Sequence, residues 1–425
     1  MEMKKCKLGD IAKIYNGSTP STSDNSNYDG EIVWATPKDL ADQNSKYFSQ
    51  GARNITQMGF DSCSTQMIPA NNILMSSRAP IGLFAINTVA CCTNQGFKNI
   101  VLDKSISDVD YMYYYLKYHV KEIEALGSGT TFKEVSKTAF EKYEISIPSL
   151  SVQQKIAAVL SSLDDKIALN KKINAKLEAM AKRLYDYWLV QFDFPNEEGK
   201  PYKTSGGKMV WNEVLKRKIP EGWEVVQIKK IFENEIPGDW GEEQPKKNNT
   251  YQVSCIRGCD MVTMNDLPIR YILPSNATKL LKPNDFVIEI SGGSPTQSTG
   301  RIVQITEEII NRFDGNVICS NFCHGVRILN KKYISYFLRM WNMFYDNKVF
   351  FNYEGKTSGL KNFQFDTFVE NKWYMPPEDI VKKYDLTVNK IKTKIDKNES
   401  ENLKLTAMRD RLLPLLMNGQ VEVEG

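Results

Sequence analysis

Histidine is nearly absent: two residues, His119 and His324, in a chain of 425. A catalytic centre built on imidazole therefore has little to draw on. No apolar run approaches the length of a membrane span, and the opening Met-Glu-Met-Lys-Lys leads into no apolar signal core. These absences argue against a membrane protein, and the chain is expected in the cytoplasm. Neither sign of charge dominates. With 55 Lys and Arg against 51 Asp and Glu the formal net charge is +4, so nucleic-acid binding is not read from composition, and any basic surface has to come from local clustering. Eight cysteines in so long a chain read as reduced core or strand residues before they read as disulfides. Cys255, Cys259, Cys319, Cys323 and His324 carry three-residue spacers, not the two-residue spacing of a zinc knuckle, so no metal site is expected. Also missing are a cofactor loop for methyl transfer and a nuclease carboxylate-lysine motif. Gly355-Lys-Thr resembles the end of a phosphate-binding loop, but Phe350 stands where that motif requires glycine.

What is there is a repeat. The stretch from Pro148 to about Trp188 returns from Pro376 to about Leu416, at one offset of 228 residues (376 − 148) and without a gap. Lys155 matches Lys383, Ile167 matches Ile395, Asn170 matches Asn398, Asn174 matches Asn402, Leu177 matches Leu405 and Arg183 matches Arg411. Within each copy the apolar positions step alternately by four and three: Ile156, Leu160, Leu163, Ile167, then Asn170 and Asn174, then Leu177, Ala181, Leu184 and Trp188. That is a coiled-coil seam, and in the second copy only Arg409 breaks it. A proline just before the first turn suits a long helix. Two unrelated amphipathic helices on a globular core would not share a register and two polar seam positions. A chain of this length holds two or three domains, and the repeat points to two similar halves.

The first 147 residues look mainly β with short helices. Leu8 to Ile14 reads as a strand, Asn16-Gly-Ser-Thr-Pro20 as a polar loop carrying Thr19, and Glu31 to Thr36 as a second strand. Ile73-Leu-Met runs into the turn-rich Ser76–Gly82 loop with its single arginine, Arg78. Asp108 to Glu124 reads as a tyrosine-rich helix, followed by Gly127-Ser-Gly-Thr-Thr-Phe-Lys133, whose amides, hydroxyls and lysine suit phosphate contacts, though taken alone it reads sooner as a plain surface turn. Tyr143 to Pro148 closes the half as a short strand. At the same offset Gly127 matches Gly355, Lys133 matches Lys361 and Phe140 matches Phe368, so the two loops are equivalent places. Between the halves, Phe192 to Gly207 is polar with little periodicity and reads as a linker with turns. The second half brings Gly238-Asp-Trp-Gly241, strand-like Tyr251 to Ile256, Arg257-Gly-Cys-Asp260, and a loop from Ser294 to Arg301 that parallels the one holding Arg78.

The chain resembles the specificity subunit of a Type I restriction-modification system over nearly its full length. The resemblance rests on the duplicated helices, on Asp193-Phe-Pro-Asn, Pro201-Tyr, Ser205-Gly-Gly207 and Ile219-Pro-Glu-Gly-Trp223, and on the ending Arg411-Leu-Leu-Pro-Leu-Leu-Met-Asn-Gly-Gln420. It implies an α+β fold with an internal pseudo-two-fold repeat: two target-recognition domains of mixed α/β content separated by two long antiparallel coiled-coil helices. The corresponding division is residues 1–148, the first recognition domain; 149–190, the first spacer helix; 191–376, linker and second domain; 377–425, the second helix and tail. It implies a non-catalytic reader of a bipartite site in double-stranded DNA, docking two methyltransferase subunits and a restriction/translocase subunit. S-adenosylmethionine, ATP and Mg belong to those partners, with no cofactor or metal bound by this chain. A related system with a fused methylase-nuclease partner, or a tandem coiled-coil scaffold binding protein, are the competing readings. The residues expected at DNA are Thr19, Arg78, Thr130, Thr131 and Lys133 for one half-site and Arg301, Lys356, Thr357 and Lys361 for the other. The expected seam pairs set Asn170 by Asn402, Asn174 by Asn398, Ile167 by Leu405 and Leu177 by Ile395. About forty helical residues give a spacer of roughly 60 Å.

Overall fold

A computed structural model describes residues 2–43, 45–129, 133–264, 266–292, 296–357 and 360–421, with the side chains of 356 and 357 not described. The chain is α+β and divides into two units, Met1–Asn174 with Asp396–Gly425, and Ala175–Ile395; they are called unit 1 and unit 2 below.

Unit 1 is built on a five-stranded sheet in the order Ala12–Asn16, Phe97–Leu102, Ile73–Ser77, Ile81–Asn87, Tyr47–Phe48. The first four strands are antiparallel neighbours and the last is parallel to its own. Every residue of the central strand Ile73–Ser77 is buried, as a strand covered on both faces requires. Leu8–Ile11, read as strand from its apolar alternation, is instead one helical turn. The Asp10 carboxylate accepts the Lys7 N–H at 2.8 Å, a local bond that competes with extended structure. Strand pairing resumes on either side of it, with Lys4–Lys7 against Glu144–Ile147. The tyrosine-rich segment is two helices, Val109–Tyr118 and Val120–Ala125, because His119 (φ −89°, ψ 18°) leaves the helical region. Asp108 caps the first by accepting from the Tyr111 N–H. Its buried tyrosines share a core with Ile156, Leu160 and Leu416 from the long helices.

The repeated stretches form helices Leu150–Tyr185 and Glu378–Met417. Within unit 1 they run antiparallel: Asn170 Nδ2 donates to Asn402 Oδ1 at 3.0 Å and Asn398 Nδ2 to Asn174 Oδ1 at 2.7 Å. Asn170 also donates to Glu401. Each buried amide is thereby partnered, which makes polar residues tolerable in an apolar seam. Arg409, which interrupts the apolar pattern, donates to Asp164 at 2.7 Å, and the same carboxylate accepts from the Tyr114 hydroxyl.

Unit 2 has a four-stranded antiparallel sheet in the order Phe232–Pro237, Cys323–Ile328, Phe286–Glu289, Ile302–Gln304. Beside it in sequence are the three-stranded sheets Ile269–Ile272, Tyr251–Ile256, Val317–Cys319 and Ser291–Gly292, Leu360–Phe363, Glu354–Thr357. The core is aromatic around Trp341 of helix Ile334–Asp346, with Phe350, Phe363, Phe365 and Phe368 against it. The stretch read as linker belongs to this core. Phe192 meets Trp223 and Tyr374 edge-on, Phe194 stacks on Tyr202, and Asp193 accepts from both the Thr204 N–H and hydroxyl. Two aromatics in a polar segment give no periodic signal, yet they bury enough area to fold it.

Candidate nucleic-acid interface

In unit 1 the loop residues converge. The strand end at Ser77 is tied by its N–H to Gly96 O, and the segment after the Gly127 loop is tied back by Val135 N–H to Ser77 O. Ser128 and Glu134 exchange backbone bonds, closing the base of that loop. Glu134 then gathers cations: buried Lys98 at 3.0 Å and Arg78 at 3.8 Å, the latter with about a third of its side chain exposed. Thr19 donates its hydroxyl to Gln95, and Arg78 lies beside Gly96. Lys133 is exposed. Thr19, Arg78 and Lys133 thus belong to loops joined by direct bonds. Thr130 and Thr131 lie outside the described residues.

Unit 2 arranges its charges differently. Arg301 is not a free loop cation. Its Nε and Nη2 donate to Glu289 at 2.8 and 2.7 Å and Nη2 also to Gly258 O at 2.9 Å, and the pair is largely buried. The bond to Glu289 raises the guanidinium above its ordinary pKa. The loop-like sequence from Ser294 to Arg301 gave no sign of this, because the acceptor comes from the neighbouring strand Phe286–Glu289. Lys361 is paired with Glu354 at 3.0 Å and sits 4.7 Å over the Phe351 ring. Lys356 and Thr357 lie on strand Glu354–Thr357; their side chains are outside the description.

Around Arg301 is a cleft that also involves Trp240, Arg257, Cys259 and Phe322, none of them expected at DNA from sequence. Arg257 starts a helical turn after strand Tyr251–Ile256, and Asp260 three residues on accepts its N–H, its Nε and its Nη2 at 2.9, 2.8 and 2.8 Å. Burial pushes the Asp260 carboxyl up, but the bonds from Arg257 bring it below the usual carboxylate range. The Arg-x-x-Asp spacing directly after a strand was the available signal. The aromatic walls are Trp240, with Arg270 over its ring at 4.3 Å, and Phe322, 43% exposed. Such a cleft offers flat apolar faces beside a fixed donor, which suits a base edge or ring.

In the seam, Ile167, Asn170, Asn174, Asn398, Asn402 and Leu405 belong to unit 1, and Leu177 and Ile395 to unit 2. Among the described residues no group of three or more His, Cys, Asp or Glu is placed to hold a metal ion. Cys255, Cys319 and Cys323 are buried, and burial pushes the Cys255 and Cys323 thiols up to about 12. Among the described residues no helix is long and apolar enough to cross a membrane.

The sequence model described as the Type I restriction modification DNA specificity domain matches residues 1–179. The Type I restriction enzyme MjaIX specificity subunit of Methanocaldococcus jannaschii is 32% identical over 436 residues, covering 98% of this chain and 93% of the other. The EcoprrI specificity subunit of Escherichia coli is 27% identical over 223 residues, 48% of this chain and 54% of the other. Among solved structures, the S subunit of a Type I restriction-modification system from M. genitalium shares the fold, with a TM-score of 0.57 at 17% identity over 98% of this chain and 96% of that one. Likeness at 32% identity to the M. jannaschii subunit over 98% of this chain settles the family: the chain belongs to the specificity subunits of Type I restriction enzymes.

Proposed function

We propose that the chain reads an interrupted, bipartite sequence in double-stranded DNA, unit 1 taking one half-site and unit 2 the other. The long helices act as spacer and as the docking surface for two methyltransferase subunits, joined by a restriction/translocase subunit. The chain itself is non-catalytic, and S-adenosylmethionine, ATP and Mg are held by those partners. The observation that carries this reading is the repeat of Lys133 as Lys361 on equivalent segments, next to surroundings that place and pair their cations differently: an exposed lysine and a loosely paired arginine in unit 1, a paired lysine and a cap arginine in unit 2. Equivalent placement supplies common phosphate contacts, and unequal surroundings supply unequal base preference. Modified-base sequencing of DNA from cells expressing the chain with its methyltransferase partner tests it. Methylation confined to one two-part motif with a constant gap is expected; methylation without a motif, or at a continuous short site, overturns it.

A further inference from the structure

The two units share a backbone frame whose correspondence is set by hydrogen bonds and not by sequence identity. In unit 1, Ser18 N–H donates to Thr93 O, Asn94 N–H to Ala35 O, Ser77 N–H to Gly96 O and Val135 N–H to Ser77 O. Unit 2 repeats these one for one: Asp239 N–H to Cys319 O, Ser320 N–H to Ile256 O, Ile290 N–H to Phe322 O and Phe363 N–H to Ile290 O. Each unit also has one short parallel strand pair at this place, Trp34–Ala35 with Cys92–Thr93 and Ser254–Ile256 with Val317–Cys319. Gly17 and Gly238 fill the same position. A Cβ on either would lie 1.9 Å from a carbonyl oxygen, that of Asn94 in one unit and of Ser320 in the other.

This frame puts Thr36 in register with Arg257, and the match extends to the capping carboxylates: Asp39 accepts the Thr36 N–H at 2.7 Å as Asp260 accepts that of Arg257. It likewise aligns Thr19 with Trp240, Gly96 with Phe322, and Arg78 with Ser291. The last pair even keeps its partner position, Arg78 meeting Glu134 and Ser291 donating to Asn362. One backbone therefore displays two unlike sets of side chains, and the arginine has moved from the strand end in unit 1 to the helix cap in unit 2.

Arg257 is prepared for a particular acceptor. Asp260 holds the Nε and Nη2 edge, which fixes the guanidinium plane. The far edge, where Nη1 and Nη2 point two N–H groups in parallel, has no protein hydrogen-bond partner among the described residues, and the side chain is 40% exposed in the cleft. Two parallel donors match the O6 and N7 acceptors that guanine alone presents together in the major groove. Resting on the DNA-reading function above, we propose that Arg257 reads a guanine in the half-site of unit 2, with Trp240 and Phe322 as the walls that confine the base step beside it.

The test uses the full-length chain assembled with its methyltransferase subunits, presented with a pool of randomised duplexes, the retained DNA being sequenced. Arg257→Ala and Arg257→Lys are each expected to lower the preference for one G·C pair by about 5- to 150-fold, the usual worth of a bidentate base contact. The other half-site stays as in the wild type. Phe322→Ala, at an exposed position that leaves the fold untouched, lowers the preference at the adjoining pair and provides the test should the Arg257 variants not assemble. Unchanged preference at every pair overturns the assignment, and so does an equal loss of affinity for all sequences, which marks a phosphate contact. A wild-type assembly that selects no bipartite site brings down the DNA-reading function itself, whereas a specific wild type with an equally specific Arg257 variant brings down this inference alone.

Discussion

At the end of strand Ile73–Ser77, unit 1 carries Arg78, 3.8 Å from Glu134 with both side chains more than a third exposed. At the corresponding place unit 2 carries Ser291, and the arginine of that loop, Arg301, stands ten residues on, locked edge to edge on Glu289 with 22% and 8% exposure. Two loop arginines that look interchangeable in sequence therefore have opposite physical roles. Apart from that loose pair, Arg78 makes no hydrogen bond among the described residues. Arg301 has used its donors to hold Gly258 and hence the turn that displays Arg257. A loop arginine is a reader only when its neighbours leave it unspent, and the accounting has to be done acceptor by acceptor.

The contrast is broken most forcefully through stability. Glu289→Ala strands a largely buried guanidinium, a change that costs about 3 to 5 kcal/mol in such settings. Arg78→Ala removes a loose, half-exposed pair and is expected within about 0.5 kcal/mol of wild type. Denaturant unfolding of the two variants reads the difference, and equal midpoints would show that Arg301 and Arg78 are alike after all. A smaller effect comes from the seam, where the two copies do use the same chemistry. Asn398→Ala takes the Asn398 donor from the buried Asn174 Oδ1 and should cost about 1 to 3 kcal/mol, while the double change to leucine at 174 and 398 recovers most of it; an additive double variant would mean the asparagines are not coupled. The smallest effect is chemical. Cys259, one residue past Gly258, is exposed, whereas burial pushes the Cys91 and Cys92 thiols up to about 12. A thiol reagent under native conditions should label Cys259 first, and cognate duplex should slow that labelling several-fold; labelling unaffected by the duplex would place DNA elsewhere on unit 2.

The helices were legible because a seam advertises itself: alternate steps of four and three, two shared asparagines and a constant offset need no knowledge of the rest of the fold. The frame around the interface was not. Corresponding residues there stand at different separations, Gly17 and Gly238 being 221 apart, Thr93 and Cys319 226, Ser77 and Ile290 213, Val135 and Phe363 228. Loops of unequal length shift the register three times, so a comparison at one offset sees only the last segment. What survives is the hydrogen-bond pattern, which backbone groups make whatever the side chain. Phe192 and Phe194 were missed for a related reason: their partners Trp223, Tyr374 and Tyr202 come from segments whose proximity no local pattern records. The pairing of Arg301 was not legible because Glu289, twelve residues earlier, is its counter-charge only once two strands pair.

The close approach at Gly17 and Gly238 bears on how such a protein changes over generations. Neither position has room for even one methyl group, so the loop that carries Thr19 or Trp240 is anchored at its root while its next residues remain open to mutation. On the proposed DNA-reading role, a lineage could then exchange one letter of the text it recognises by a single codon change on an unmoved scaffold, without first surviving a misfolded intermediate. The same arrangement makes each half a separately editable address, since a substitution on one scaffold leaves the other half's spelling as it was.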